Sequence, residues 1–245
     1  MSRVVSLTPS ATEVVAALGA TNLLVGVDQY STYPPEVAAL PKVGSFLAPN
    51  LEAIAALKPD LVIVDDVHDR AATALHDIGI ETIECPVHSI ADVEAALTSV
   101  GTRIGRANDA AFAIRAMESA LDDAREHRPA RRPRVLAVID REAGGLGNLV
   151  AAGPGSYIDE LLAVVGAENV LAASGTRYPK IAVEEILRVK PDLILDLSFA
   201  TKDGLDAWTA VPGVPVAALP QPYLQAPSPR IGLALAAVGA AVANH

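Results

Sequence analysis

Short apolar runs alternate along the chain with longer stretches whose apolar residues recur every three or four positions. That alternation predicts α/β units with mainly parallel strands. In the first half, strands are expected at Arg3–Leu7, Leu24–Val27, Leu61–Val64 and Thr82–Cys85, with helices at Ala11–Leu18, Leu51–Leu57, Asp69–Ile78 and Ile90–Ile104. In the second half, strands are expected at Arg134–Ile139, Leu193–Leu197 and Val216–Leu219, with helices at Tyr157–Val165, Val183–Val189 and Pro229–Ala243. Ser10-Ala-Thr-Glu13 reads as a capping box for the first helix, and Gly19 as its left-handed exit.

The middle differs. Residues 108–127 contain neither Gly nor Pro and carry Ile114, Met117 and Leu121 at helical spacing, so one helix about 30 Å long is expected at the usual ~1.5 Å rise. Arg128-Pro-Ala-Arg-Arg-Pro133 ends it. The predicted organisation is an N-terminal α/β lobe at 1–106, a linking helix at 107–128 and a C-terminal α/β lobe at 129–245. With so stiff a connection, large hinge closure is not expected.

The lobes share one plan because the sequence repeats. Glu13-Val-Val-Ala-Ala-Leu-Gly-Ala-Thr-Asn22 returns as Glu160-Leu-Leu-Ala-Val-Val-Gly-Ala-Glu-Asn169, and Leu51-Glu-Ala-Ile-Ala-Ala-Leu-Lys-Pro-Asp-Leu61 returns as Val183-Glu-Glu-Ile-Leu-Arg-Val-Lys-Pro-Asp-Leu193. Two like lobes predict a cleft, and clefts favour ligands.

Composition narrows the partners. With 19 Lys plus Arg against 29 Asp plus Glu, the net charge of −10 argues against nucleic acid and against anionic membrane surfaces. No apolar run reaches the ~18 residues a membrane span needs, so no insertion is expected; the tail from Ile231 to Val242 is too short. The first strand is expected to begin at once, with no secretory leader or lipid-anchoring cysteine before it, which predicts a cytoplasmic location if residue 1 is the native start. The single cysteine, Cys85, sits at a strand end and is expected to be a buried structural thiol.

Candidate chemistry is concentrated in loops. Tyr30, Tyr33, Phe46, Tyr178 and Tyr223 lie in Pro- or Gly-flanked segments. Aromatic side chains there can grip a large amphipathic ring, with tyrosine hydroxyls meeting its polar rim; for Tyr33, beside Pro34, packing is expected instead. Asp65, Asp66 and His68 follow one strand, His88 another, and Asp140 and Glu142 the first strand of the second lobe, all at carboxyl ends where ligands bind in open α/β sheets. His68 and His88 are the first candidates should a metal be held, although the irregular spacing predicts none. Ser10, at a helix start, is a further candidate for a ligand's polar edge. No nucleophile elbow, Walker loop or metalloprotease helix appears, and Gly144-Gly-Leu-Gly147 and Gly153-Pro-Gly155 read as turns.

Arg3-Val-Val-Ser-Leu-Thr-Pro-Ser-Ala-Thr-Glu13, Gly26-Val-Asp-Gln-Tyr-Ser-Thr-Tyr-Pro-Pro35, Asn50-Leu-Glu52, Lys58-Pro-Asp-Leu61 and Ser228-Pro-Arg-Ile231 resemble ABC-importer substrate-binding proteins of the class with two lobes on one backbone helix. The resemblance covers nearly the whole chain, and Tyr-Ser-x-Tyr-Pro-Pro is most similar to the class's cobalamin-binding members. It implies a non-enzymatic, extracytoplasmic and monomeric binding protein that uses no catalytic cofactor and hands cobalamin or another corrinoid to a dimeric ABC permease. It implies ligand contact by Tyr30, by Phe46 where a tryptophan is usual, by Tyr178 and Tyr223, and at Asp65, which takes an aromatic position. It also implies that Glu52 and Glu184, each in the first turn of a short helix, dock the two permease subunits; the helix dipole alone favours a glutamate there by about 0.3–1 kcal/mol. Haem or a ferric siderophore is the rival ligand. A tetrapyrrole chelatase-like enzyme using His68 and His88 is the rival from another class.

Overall fold

The computed structural model describes residues 3–200 and 204–244. The chain divides into two compact units, 1–116 and 117–245, and the fold is α/β with mainly parallel sheets, as the alternation predicts.

In the first unit, strands β1 (Val4–Ser6), β2 (Leu24–Val27), β5 (Leu61–Val64) and β6 (Glu81–Glu84) form a sheet of order β2-β1-β5-β6. Every pairing in it is parallel. Helices α1 (Pro9–Ala17), α2 (Leu51–Ala56) and α3 (Asp69–Asp77) supply the crossovers, and α4 (Ile90–Arg103) follows the last strand. β5 is buried at every position, the mark of a parallel strand covered on both faces. Val5, Val62 and Val64 pack with Ile54 and Leu75 in one core cluster. Val4, Leu61 and Ile63, next along each strand, are buried too. A short antiparallel hairpin, β3 (Gly44–Ser45) and β4 (Ala48–Pro49), stands apart from this sheet.

Helix α5 (Ala107–Glu126) contains the sequence boundary between the units. The second unit holds β7 (Arg134–Asp140), β8 (Leu149–Ala151), α6 (Tyr157–Val164), β9 (Glu168–Asn169), β10 (Lys180–Ile181), α7 (Val183–Val189), β11 (Leu193–Asp196), β12 (Val216–Ala218) and α8 (Ile231–Ala243). Its sheet runs β10-β8-β7-β11-β12, with β9 paired to β7. The β7, β9, β11 and β12 pairings are parallel, and β8 and β10 join antiparallel at one side. Leu136, Val138, Ile186, Ile194 and Trp208 are among its buried core.

One local expectation is corrected. Ser10 does not cap α1. The helix starts at Pro9 and is capped by Thr8, whose Oγ1 accepts the Ala11 N–H at 3.0 Å. Proline at the first helical position lacks the N–H that would go unsatisfied there, so the start moves two residues earlier and leaves Ser10 buried within the first turn.

The sequence repeat has a physical counterpart. Gly19 and Gly166 both end their helices at positive φ (62° and 81°), which costs glycine least. Both lysines of the Lys-Pro-Asp motifs, Lys58 and Lys190, are left-handed at φ 48° and 49°. Each aspartate then ties down its sheet: Asp60 Oδ2 accepts the Arg3 N–H at 2.7 Å, and Asp192 Oδ2 accepts the Arg134 N–H at 2.9 Å. That bond, with Arg131 and Arg134 nearby, holds the Asp192 carboxyl below the usual range. The motif therefore fixes the entry of β1 and of β7 in the same way.

Candidate functional site

Tyr30 sits on a rigid base. In the turn after β2, Asp28 accepts the Tyr30 N–H at 2.8 Å and bonds the Ser31 hydroxyl. Ser31 in turn meets Thr12 (2.7 Å), and Thr12 meets Ser6 (2.5 Å). All four polar residues are buried, whereas Tyr30 is 58% exposed. A satisfied buried network holding an exposed aromatic is a preorganised contact surface. Tyr33, expected to pack, is also exposed.

Phe46 is at the hairpin tip and is pinned through His68. The His68 Nδ1 accepts the Asp65 N–H at 2.9 Å, so its proton is on Nε2, which donates to the Phe46 carbonyl at 2.6 Å. The two rings meet edge to face with centroids 5.4 Å apart. His68 is thus a buried strut with both ring nitrogens engaged, and neither is left for a metal. Beside it, Leu47, Pro49, Leu51, Asp66, Val67 and Arg70 help line a pocket of about 670 Å³. Leu47 is 80% exposed there and Val67 is exposed as well. Sequence reasoning passed over both, although Phe46-Leu47-Ala48 is an apolar run at a loop tip.

The strand-end acids sort themselves by distance. His88 Nε2 lies 3.2 Å from Asp66 Oδ2 and 3.9 Å from Asp65 Oδ1. Asp65 is only 5% exposed. Burial first, then the adjacent Asp66 carboxyl, push the Asp65 carboxyl up to about 6 against the pull of His88. Asp66 is held below its ordinary value by Asp65 and then by His88. Burial pushes the Cys85 thiol up to about 12, with Asp65 and Asp92 adding to it; the buried thiol expected there is found.

In the second unit, the Tyr178 loop is fastened to β8: Gly153 N–H donates to the Arg177 carbonyl at 2.8 Å, and Ala151 N–H to that of Pro179 at 3.0 Å. The Tyr178 ring is 47% exposed, and partial burial raises its phenol with Arg177 opposing. Tyr223 is half-buried, with the Arg230 guanidinium 5.4 Å from its ring centroid. Glu52 and Glu184 are both exposed and both stand in the first turn of their helices. Asn50 caps α2 through the Ala53 N–H at 3.0 Å, whereas Ala182 gives α7 no such cap.

The residues around Asp140 and Glu142 serve structure. Arg141 and Asp196 form an ion pair at 2.7 Å with side chains fully buried. Asp196 also accepts the Trp208 indole N–H at 2.7 Å and both Ser198 donors. Arg141 donates to the carbonyls of Glu142, Gly145 and Gly204.

Residues 4–207 match the periplasmic binding protein family. The chain belongs to that family. A vitamin B12-binding protein of Salmonella choleraesuis (strain SC-B67) is 31% identical over 242 residues, which cover 95% of this chain and 86% of the relative. The crystal structure of a periplasmic vitamin B12-binding protein of Vibrio cholerae superposes with TM-score 0.84 at 25% identity, covering 98% of this chain and 96% of the other. A periplasmic heme-binding protein from Roseiflexus sp. RS-1, in apo form, gives TM-score 0.86 at 25% identity, covering 99% and 98%. The family and these relatives are binding proteins for transport, so the periplasmic binding protein described here is not an enzyme, and the chelatase-like alternative is removed. Membership implies an extracytoplasmic location and an ABC-importer partner. No helix among the described residues is long and apolar enough to cross a membrane.

Proposed function

We propose that this protein captures a corrinoid, cobalamin or a precursor, and passes it to an ABC importer. The observation that carries the corrinoid is the 31% identity to the Salmonella vitamin B12-binding protein over nearly the full chain. Tyr30, Phe46, Tyr178 and Tyr223 are the ring contacts of this proposal, and a corrin offers broad apolar area to such side chains. Tyr30 leads the set because its backbone is pinned while its ring is free. Asp65 and Ser10 are both buried and contribute at most a polar edge. The second reading is haem, favoured by a fold likeness to the Roseiflexus heme-binding protein as near as that to the Vibrio vitamin B12-binding protein.

Delivery rests on Glu52 and Glu184. Equivalent exposed carboxylates suit a partner with two-fold symmetry, and charge complementarity sets orientation and on-rate. The protein acts as a monomer on a dimeric permease. Native mass spectrometry with the visible spectrum of protein purified from its own host tests the ligand. A corrinoid is expected, and co-purified haem or ferric siderophore would overturn the assignment.

A further inference from the structure

We propose that Asp65, Asp66 and His88 form a binding site for one first-row divalent cation of the zinc or cobalt type. Asp65 directly follows β5, Asp66 comes next, and His88 follows β6, which is the parallel neighbour of β5. The sheet therefore brings an imidazole and two carboxylates to one end. Their ligand atoms all lie within 4.8 Å of one another.

Two observations separate this group from an ordinary acidic loop. The first is an unmet demand. Asp65 Oδ1 is buried, has no hydrogen-bond partner among the described residues, and faces His88 Nε2 at 3.9 Å. Buried carboxylate oxygens are costly to leave unpaired, and a cation would satisfy this one. The second is spacing. Ligand atoms at ~2.1 Å from one ion can be separated by up to about 4.2 Å, and the 3.2 and 3.9 Å separations of the two carboxylates from His88 Nε2 both lie within that limit.

The frame is fixed. The His88 N–H donates to Asp92 Oδ2 at 3.0 Å, and Asp92 lies in the first turn of α4. The site is also reachable, because the His88 and Asp66 side chains are partly exposed. One imidazole nitrogen with two carboxylate oxygens suits zinc, cobalt or nickel better than magnesium or calcium, which prefer all-oxygen shells. Water would complete the coordination.

The test uses the full chain, stripped with chelator and free of organic ligand, so its outcome does not depend on the corrinoid reading. Co²⁺ is titrated and followed by its visible ligand-field absorption, and Zn²⁺ is then added to displace it. One equivalent of Co²⁺ per chain is expected, displaced by Zn²⁺. His88→Ala and Asp66→Asn should each weaken binding at least about tenfold, with circular dichroism confirming the fold. His76→Ala, an exposed histidine outside the cluster, should leave binding unchanged. Absence of saturable binding, or equal affinity in His88→Ala and wild type, would overturn the proposal.

Discussion

Replacing Asp196 by Asn should destabilise the second unit more than any surface substitution. The carboxylate is fully buried and takes four hydrogen bonds: Arg141 Nε and Trp208 Nε1 at one oxygen, the Ser198 N–H and hydroxyl at the other. An asparagine keeps one oxygen but turns an NH₂ toward two of those donors, and it leaves the Arg141 guanidinium buried without its counter-charge. Removing one partner of such a pair costs about 3–5 kcal/mol, a large share of a total of roughly 5–15. At a urea m-value of about 2–3 kcal/mol/M, the midpoint should fall by about 1–2.5 M. Trp208 is the only tryptophan in the chain and lies in this network, so its fluorescence reports the second unit directly, with far-ultraviolet circular dichroism as a second probe. Joint replacement, Arg141→Met with Asp196→Leu, should recover much of the loss because no buried charge remains. A midpoint shift below about 0.3 M for Asp196→Asn would refute this account of the unit's core.

Two further predictions address the first unit and delivery. Because the native Asp65 carboxyl titrates near 6 rather than 3.8, the folded state binds its proton more tightly than the unfolded state. Its stabilising effect is complete below about pH 4 and lost as pH rises through 6. The lowered Asp66 works the other way, so in chelator at pH 7.5 Asp65→Asn should be about 1–2 kcal/mol more stable than wild type. That gain should vanish toward pH 4, and a gain that grew on acidification would contradict it. Reversing both Glu52 and Glu184 to Lys should leave ligand affinity intact while abolishing uptake through the cognate permease, since like charges would then face a partner selected for opposite ones; normal uptake would remove the docking role.

How much of this was legible in sequence depended on the length of the signal. The strands β1, β2, β5, β6, β7, β11 and β12 and the long helix α5 are each found within about two residues of their expected places, because strand signals and helical spacing are local. The strands β3, β4, β8, β9 and β10 were missed, being only two or three residues long and too short to show a period. Thr8-Pro9 carried the true helix start, but Ser10 with Glu13 offered a rival cap. The Lys-Pro-Asp repeat was visible, though its work of fixing β1 and β7 needed partners more than 50 residues away. The strand-end acids and histidines were likewise legible as a set. Only distances show that His68 bonds the hairpin while His88 joins Asp65 and Asp66, and the Arg141–Asp196–Trp208 network had no sequence signature.

The aromatic grip on a corrinoid is tested most directly by equilibrium titration of cobalamin, followed by absorbance, into wild type and into Tyr30→Ala with Phe46→Ala. The variant keeps the backbone carbonyl that His68 holds, so the hairpin stays anchored. Saturable one-to-one binding by wild type is predicted, weakened in the variant by about 1 kcal/mol or more, roughly fivefold. Unchanged affinity in the variant, or haem binding while cobalamin does not, would contradict the account.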